Sequence, residues 1–416
     1  MADLELDIAD AQGAVLAHTA PAPAASLALA DALGRVLAAD LRSRWSLPAG
    51  DVSTMDGWAV RLADLGGHGT RVGLRRAGES AAGHPLDVPL APGHAARIFT
   101  GALLPPGADL VIAQEDAHVL GDSLEIDLVA AGPLAAGHFT RAAGSDVAEG
   151  APLLAAGAVL GPGELALLAG CGHTSAPVHR PPRVALLSTG DELVPVGHWP
   201  GRGQIVDSNG LMLACQLRQA GADVVDLGIV VDRPGELQAA IDRALAPTSS
   251  APAADIIVTC GGISVGDHDL VLPTLVARGA ELVFRRVRMR PGRPTTLAVL
   301  RDGERRVPVF ALPGNPASAH VACELFVRLA VRRWLGHPDL TRTPRDCLLA
   351  APVARDARRT HVVRVRVEGE HATPLPSQTS GALRSIAGHN ALAFLSPGTG
   401  PALPGTTVPT LLLEDN

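Results

Sequence analysis

Asp255-Ile-Ile-Val-Thr-Cys-Gly-Gly-Ile-Ser-Val-Gly-Asp-His-Asp269 joins an apolar strand, 255–258, to a glycine-rich turn that ends in two carboxylates. Glycines at 261, 262 and 266 let backbone N–H groups approach an anion with no Cβ in the way, and Asp267 or Asp269 offers oxygen ligands to a hard cation such as magnesium. A turn of this kind also serves as plain connection, so the neighbouring segments decide its meaning. Strand patterns at 183–188, 223–231, 255–259, 282–289 and 307–312 alternate with helical ones, which is a βα-repeat and predicts a mostly parallel sheet. Ligands of such sheets bind beyond the carboxyl ends of the strands. There the chain places Thr189-Gly-Asp-Glu192, Asp232, the 259–269 turn, Arg290-Pro-Gly-Arg-Pro294 and Leu312-Pro-Gly-Asn-Pro-Ala-Ser318. Five polar loops are predicted to share one edge.

The composition narrows the function. At 416 residues the chain is too long for one ordinary core and implies three or four domains. Aromatic residues make up only 2% and Tyr is absent, so Leu, Val, Ile and Ala must fill the cores and stacking on nucleobases is poorly supplied. All 35 basic residues are Arg. A net charge of −7 argues against general binding to nucleic acid or to an anionic membrane, so any anionic ligand must be met locally. Cysteines at 171, 215, 260, 323 and 347 contain no C-x-x-C, which suggests neither a disulfide framework nor a zinc site and fits a reducing cytoplasm. The acidic amino-terminal stretch is unlike a secretory leader, and no apolar run approaches membrane-spanning length; a soluble cytoplasmic protein is expected. The fifteen histidines show no H-E-x-x-H, and there is neither a G-x-S-x-G elbow nor a G-x-G-x-x-G after the first strand. Serine hydrolase and dinucleotide oxidoreductase readings lose most of their support.

Along the chain, helices are expected at 8–18 and 28–38, and short alternating strands from 41 to 141, with Gly121-Asp122 turning a hairpin within 118–126. A helical piece at 163–169 follows. The expected organisation is a helical linker domain formed by 1–40 and 142–178, an inserted β-rich domain at 41–141, an α/β domain at 179–335 and a small β-barrel domain at 336–416.

Several side chains at the predicted edge have two readings. Asp191, Glu192 and Asp232 each read as helix caps or as metal ligands, and Asp267 or Asp269 reads as a metal ligand. Crowded together, such charges are costly without a cation, so a metal is inferred. Arg286, Arg288 and Arg290 recur with period two on one expected strand face, and Arg293 follows a Pro-Gly turn. Arg286 and Arg288 read as a solvent-facing surface, whereas Arg290 and Arg293 read as contacts to phosphate or another oxyanion. Asn315 and Ser318 flank a helix start at Pro316, where free N–H groups favour anions and where capping is the plainer role.

Ser188-Thr-Gly-Asp-Glu-Leu193, Gly261-Gly-Ile-Ser-Val-Gly266, Pro291-Gly-Arg-Pro294 and Leu312-Pro-Gly-Asn-Pro316 resemble motifs of the molybdopterin molybdenumtransferases, the molybdenum insertase family that includes the carboxy-terminal domain of gephyrin. The resemblance extends through Ser53-Thr-Met-Asp-Gly-Trp-Ala59, Phe99-Thr-Gly-Ala102, Ser380-Gly-Ala-Leu-Arg-Ser385 and Asn390-Ala-Leu392, nearly the whole chain. It implies a central α/β/α three-layer molybdopterin-binding domain and a homodimer whose site lies between the α/β domain of one subunit and the inserted domain of the other. It also implies a reaction in which adenylylated molybdopterin and molybdate are the substrates, AMP leaves in a Mg2+-dependent step and molybdenum is bound by the dithiolene sulfurs. By resemblance, Glu192, Asp232 and Asp269 handle metal and adenylate, and Asp56, Thr100 and Asp146 complete the cleft. Thr189, Gly190, Asp191, Gly261, Gly262, Ser264, Gly266, Pro313 and Asn315 hold the substrate, with Arg290, Arg293, Ser318, Arg364 and Ser380 near molybdate. Further partners implied are a molybdopterin adenylyltransferase and recipient molybdoenzymes or their chaperones. The chain departs from the family with Arg at 290 and 293 where Lys is usual, Trp58 where Tyr is usual, and Ala142 and Ala143 where basic residues are usual. The rival functions are a pterin adenylyltransferase, which works as a lone α/β domain, and a binding scaffold indifferent to the carboxylates.

Overall fold

The computed structural model describes residues 4–66, 69–247, 252–263 and 270–413, and these divide into two compact units, 1–25 with 178–416, and 26–177. The first unit is built on a six-stranded sheet. Its strands are β1 (Arg183–Thr189), β2 (Asp223–Val230), β3 (Ile256–Cys260), β4 (Glu281–Phe284), β5 (Thr296–Asp302) and β6 (Arg305–Leu312), in the order β2-β1-β3-β6-β5-β4. β2, β1, β3 and β6 are parallel, while β5 runs against both β6 and β4. The sheet is therefore mostly parallel, as expected, with a strand β5 that the pattern reading did not anticipate.

Each strand feeds two cores because successive side chains point to opposite faces. Val184, Leu186, Ile256, Val258, Phe310 and Leu312 enter one core, while Ala185, Leu187, Ile257, Val309 and Ala311 enter the other. Helix α1 (Ser208–Gln219) supplies Leu213 and Leu217 to the first, and α2 (Pro234–Leu245) supplies Leu237 and Ile241 to the second. α3 (Val271–Ala277) joins the second core, and α4 (Pro316–Ala322) continues through a π-helical turn into α5 (Arg328–Trp334) on the first. This is a three-layer α/β/α body. The helix Ile8–Ala17, expected at 8–18, adds Ala11 and Val15 to the first core.

A bidentate ion pair pins one end of the sheet. Asp255, immediately before β3, accepts from Arg180 at 2.6 and 2.8 Å and from the Arg183 N–H at 2.8 Å, and its side chain is only 5% exposed. Asp255→Ala is expected to destabilise by about 2–3 kcal/mol, the low end for a broken buried pair because Arg180 is half-exposed and water replaces part of the loss. Denaturant unfolding measures it.

The expected strand 282–289 is broken into three short pieces. Glu281–Phe284 pairs with β5, Arg286–Val287 runs parallel to Glu5–Leu6, and Met289–Arg290 runs parallel to Thr360–His361. Period two survives, since Val287 and Met289 are buried and Arg286, Arg288 and Arg290 alternate with them, but the three arginines do not lie on one continuous strand. The cause is a change of pairing partner every two or three residues.

Five strands after the α/β body close a barrel: β7 (Arg345–Leu349), β8 (Thr360–Glu368), β9 (His371–Pro374), β10 (Ala391–Leu395) and β11 (Thr407–Leu412). The ring runs β8-β9-β7-β11-β10 and returns to β8. Val363, Val365 and Val367 of β8 fill the barrel, while Val362 on the alternate face joins the α/β core.

The second unit contains a six-stranded sheet, ordered Leu110–Ala113, Gly57–Val60, His94–Ile98, Arg71–Ser80, Ser123–Asp127, Ala117–Leu120. The last two form the hairpin expected around Gly121-Asp122. The helix expected at 28–38 does not form. A single 3₁₀ turn, Leu29–Asp31, is followed by Gly34 at φ +73°, and the Gly34 and Leu37 N–H groups donate to Leu160 and Ala158. Pairing to a distant segment satisfies the backbone that a helix would have satisfied. The helix expected at 163–169 is present as Pro162–Gly170.

Candidate functional site

The carboxyl ends of β1, β3 and β6 surround a cavity of about 200 Å3 lined by Ser188, Glu192, Asp207, Asn209, Cys260 and Asn315 among others. Asp207 caps α1, its Oδ1 accepting the Gly210 N–H at 2.9 Å, and the Asn209 Nδ2 donates to the Gly314 carbonyl at 2.6 Å. The loops after β1 and β2 meet where the Asp232 N–H donates to Asp191 Oδ1 at 3.1 Å. Gly261 (φ +101°) and Gly262 (φ +63°) pack on Thr189, whose buried hydroxyl has no partner among the described residues. Burial, then the nearby Asp207 charge, pushes the Cys260 thiol up to about 12, so it stands in the wall as a neutral group. Ser264, Gly266, Asp267 and Asp269 lie outside the described residues. Glu192 and Asp207 face the cavity, yet among the described residues no three His, Cys, Asp or Glu side chains converge as a metal-binding group.

Asn315 also lines a second cavity, of about 360 Å3, together with Arg290, Arg293, Arg359, Ser318 and Ser380. Its Nδ2 donates to Ser380 Oγ at 3.2 Å, and the Ala317 N–H donates to the Ser380 carbonyl at 3.0 Å, tying the first turn of α4 to the 377–385 segment. His320 of α4 and His389 brace the same contact, Nε2 to Nε2 at 2.8 Å. Burial pushes His320 down to about 3, so the brace is neutral at ordinary pH.

Arg364 is not in the lining of this second cavity but is buried behind the 377–385 segment that contributes to it. It projects from the outer face of β8 and is 0% exposed. Its Nε donates to the Ser385 carbonyl at 3.3 Å and its Nη2 to those of Thr379 and Ser377 at 3.4 and 3.5 Å, while Nη1 has no partner among the described residues. Burial, then the Arg290 charge, lowers it to about 10, which leaves a cation at neutral pH. A buried guanidinium with no carboxylate is costly. Beside an arginine-rich, hydroxyl-lined cavity, it has the chemistry to receive an oxyanion.

Two arginines that do line this cavity are ion-paired. Arg293 donates to Glu5 through Nε at 2.8 Å and Nη2 at 3.5 Å, and Arg359 holds Asp356 through Nε at 3.1 Å and Nη2 at 2.7 Å. The Arg359 bonds, aided by backbone N–H donors, hold the Asp356 carboxyl down to about 2. A depressed carboxylate stabilises the fold above its unfolded pKa, near 4, and that contribution disappears as pH falls towards 2. Asp356→Asn is expected to flatten acid unfolding across pH 4 to 2, as followed by circular dichroism.

In the second unit Asp56 and Thr100 are brought together. Asp56 Oδ1 accepts both the N–H and the Oγ1–H of Thr100 at 2.8 Å, which holds its carboxyl below the ordinary range. Asp146 is exposed and lies 3.7 Å from Arg141 Nη2. Trp58 is buried, with the Arg76 and Arg97 guanidinium groups 5.6 Å from its ring centre.

Pattern reading missed Asp207, Asn209, Cys260, Arg359 and Gln378 as cavity-lining residues. Asp207-Ser-Asn209 before a helical pattern is a capping signature that marks the first two. Arg359 carries no local signal, because only the pairing of Thr360–His361 with Met289–Arg290 brings it to the cavity.

Family models match three consecutive stretches: the MoeA N-terminal region (domains I and II) at residues 6–172, a probable molybdopterin binding domain at 185–333, and the MoeA C-terminal region (domain IV) at 347–413. A molybdopterin molybdenumtransferase of Nostoc is 40% identical over 303 residues, 72% of this chain and 67% of that one. Its Bacillus subtilis counterpart is 33% identical over 399 residues, covering 94% and 90%. The solved structure of a molybdopterin biosynthesis MoeA protein from Pyrococcus horikoshii superposes with a TM-score of 0.86 at 28% identity, over 99% of this chain and 100% of that one.

Proposed function

The chain belongs to the molybdopterin molybdenumtransferase family, and we propose that it catalyses the insertion step of molybdenum cofactor biosynthesis, transferring molybdenum from molybdate into adenylylated molybdopterin with release of AMP. The observation that carries the reading is the buried Arg364, whose unpartnered Nη1 is accompanied by Arg290 in the wall of the neighbouring 360 Å3 cavity. A tetrahedral dianion there would accept hydrogen bonds from Arg364, Arg290, Ser318 and Ser380. The adjoining 200 Å3 cavity suits the pterin end of the adenylate, with Asn209 and Asn315 as polar contacts and Glu192 at its edge. Because Asn315 lines both cavities, the two reactants would meet across one side chain. Enclosure and fixed donors replace the encounter in water of two anions that repel one another.

Magnesium, when bound, would neutralise charge on the phosphoanhydride; Glu192, Asp232 and Asp269 are the oxygen donors assigned to it. The roles of Asp56, Thr100 and Asp146, the homodimer, the four-domain division and a cytoplasmic setting belong to the same proposal and rest on the resemblance. No helix among the described residues is long and apolar enough to cross a membrane.

The test mixes purified protein with adenylylated molybdopterin, magnesium and molybdate and follows AMP together with active cofactor. Molybdate-dependent formation of both is expected. Binding of the adenylate with neither product would reject the enzymatic reading and leave a binding protein.

A further inference from the structure

A third cavity, of about 420 Å3, adjoins the oxyanion pocket and is lined by Glu5, Arg288, Arg293, Asp356, Arg358 and Arg359. The two cavities share Arg293 and Arg359 as walls. Each shared guanidinium is held by a carboxylate on the far side of the oxyanion pocket: Arg293 by Glu5, and Arg359 by Asp356. Arg290 and Arg364, by contrast, make no ion pair among the described residues. Three guanidinium groups lining one cavity, with the buried Arg364 adding a fourth positive charge beside it, would hold any dianion tightly and with little regard to its identity. Two of the three in the wall are balanced from behind.

Glu5 is the more informative of the two carboxylates because of where it comes from. It sits on the strand Glu5–Leu6, which pairs parallel with Arg286–Val287, so the amino-terminal segment delivers a carboxylate to the rear of the pocket from nearly 300 positions away in sequence. Its side chain is 16% exposed, and hydrogen bonding from Arg293 holds its carboxyl below the ordinary range, so it is charged at neutral pH.

We propose that Glu5 is an affinity-setting residue for the oxyanion pocket: its carboxylate offsets the Arg293 charge, so that the pocket holds a tetrahedral dianion weakly enough to pass it on and does not fill with competing dianions. Glu5 acts through Arg293 and does not touch the anion. This inference rests on the oxyanion reading of the cavity.

Glu5→Gln separates charge from geometry, since the amide oxygen still accepts from Arg293 Nε while the negative charge is gone. With the repulsion of one nearby carboxylate removed, dianion affinity is expected to rise about three- to tenfold at low ionic strength, with the gain shrinking as salt screens it. Calorimetric titration with molybdate and with sulfate should show both dissociation constants falling by that factor, and in turnover the KM for molybdate should fall while that for the adenylate stays unchanged. Glu5→Asp, whose shorter side chain keeps the charge, should bind both anions as the parent does. If the parent binds neither anion, the oxyanion reading of the cavity fails and this inference with it. If the parent binds them and Glu5→Gln leaves both constants unchanged or raises them, only the role of Glu5 is overturned.

Discussion

Arg364→Met is expected to lower kcat/KM for molybdate by two to three orders of magnitude while leaving KM for the adenylate near its parent value. With Arg364 as a buried, charged donor to the dianion, loss of the contact costs about 3–4 kcal/mol, at 1.4 kcal/mol per tenfold. Stability should respond differently. Removing a buried guanidinium and filling its volume with an apolar chain is neutral or stabilising when the charge has no partner. Against that stand three carbonyls, of Ser377, Thr379 and Ser385, that lose long hydrogen bonds of 3.3–3.5 Å. The two effects nearly cancel, so the unfolding free energy is expected to stay within about 2 kcal/mol of the parent. Steady-state kinetics and denaturant unfolding on one preparation test both halves. A variant that turns over molybdate normally would remove Arg364 from the reaction, and one that unfolds spontaneously would make it a structural residue instead.

Gly261→Ala should produce the opposite pattern, a loss of stability and of activity together. Gly261 lies at φ +101°, and a Cβ there would collide with the carbonyl oxygen of Thr189. Left-handed strain and overpacking each cost about 1–3 kcal/mol, so a total near 3 kcal/mol or more is expected. The collision also pushes apart the ends of β1 and β3, the strands that frame the 200 Å3 cavity, so adenylate binding should weaken. Gly279→Ala is the control: its φ is +80°, but nothing lies within 4 Å of the added Cβ. It should show the strain alone, about 1 kcal/mol, and no change in adenylate binding. Equal losses from the two variants would mean that the packing of Gly261 on Thr189 does not matter.

These two residues differ in how far they were legible. Gly261 stands in a glycine-rich turn after a continuous apolar run, and a run of that kind is what a strand buried on both faces requires. The parallel strands β1, β3 and β6 were readable for the same reason, β2 by its apolar alternation at the sheet edge, and the helix start at Pro316 by its proline. The segment 28–38 was not, because its apolar spacing suits a helix while Gly34 and the pairing with 157–160 draw its backbone elsewhere. Nor was the break-up of 282–289, since three different pairing partners, two of them from the chain's amino terminus and its barrel, decide where each piece ends.

Arg364 was reachable only through resemblance. By its own strand it belongs to the outer face of a barrel, where period two predicts a solvated arginine, as Arg366 two positions on is exposed and paired with Glu368. The α/β body covers that face at Val362, and the 377–385 segment closes over Arg364, turning a surface residue into a buried cation beside a cavity. The same holds for Glu5, an ordinary surface carboxylate by pattern that stands behind Arg293, whereas Asp356 meets Arg359 only three residues away and it is their place at the pocket that the fold decides. The chain's alternations, glycines and strand-end carboxylates, which act over a few residues, determined the mostly parallel sheet and the polar loops at its carboxyl edge. Which charges are buried, balanced or left without a partner depends on how segments close over one another, from the 377–385 segment on Arg364 to Glu5 on Arg293 across 288 positions, and only the tertiary structure decided that.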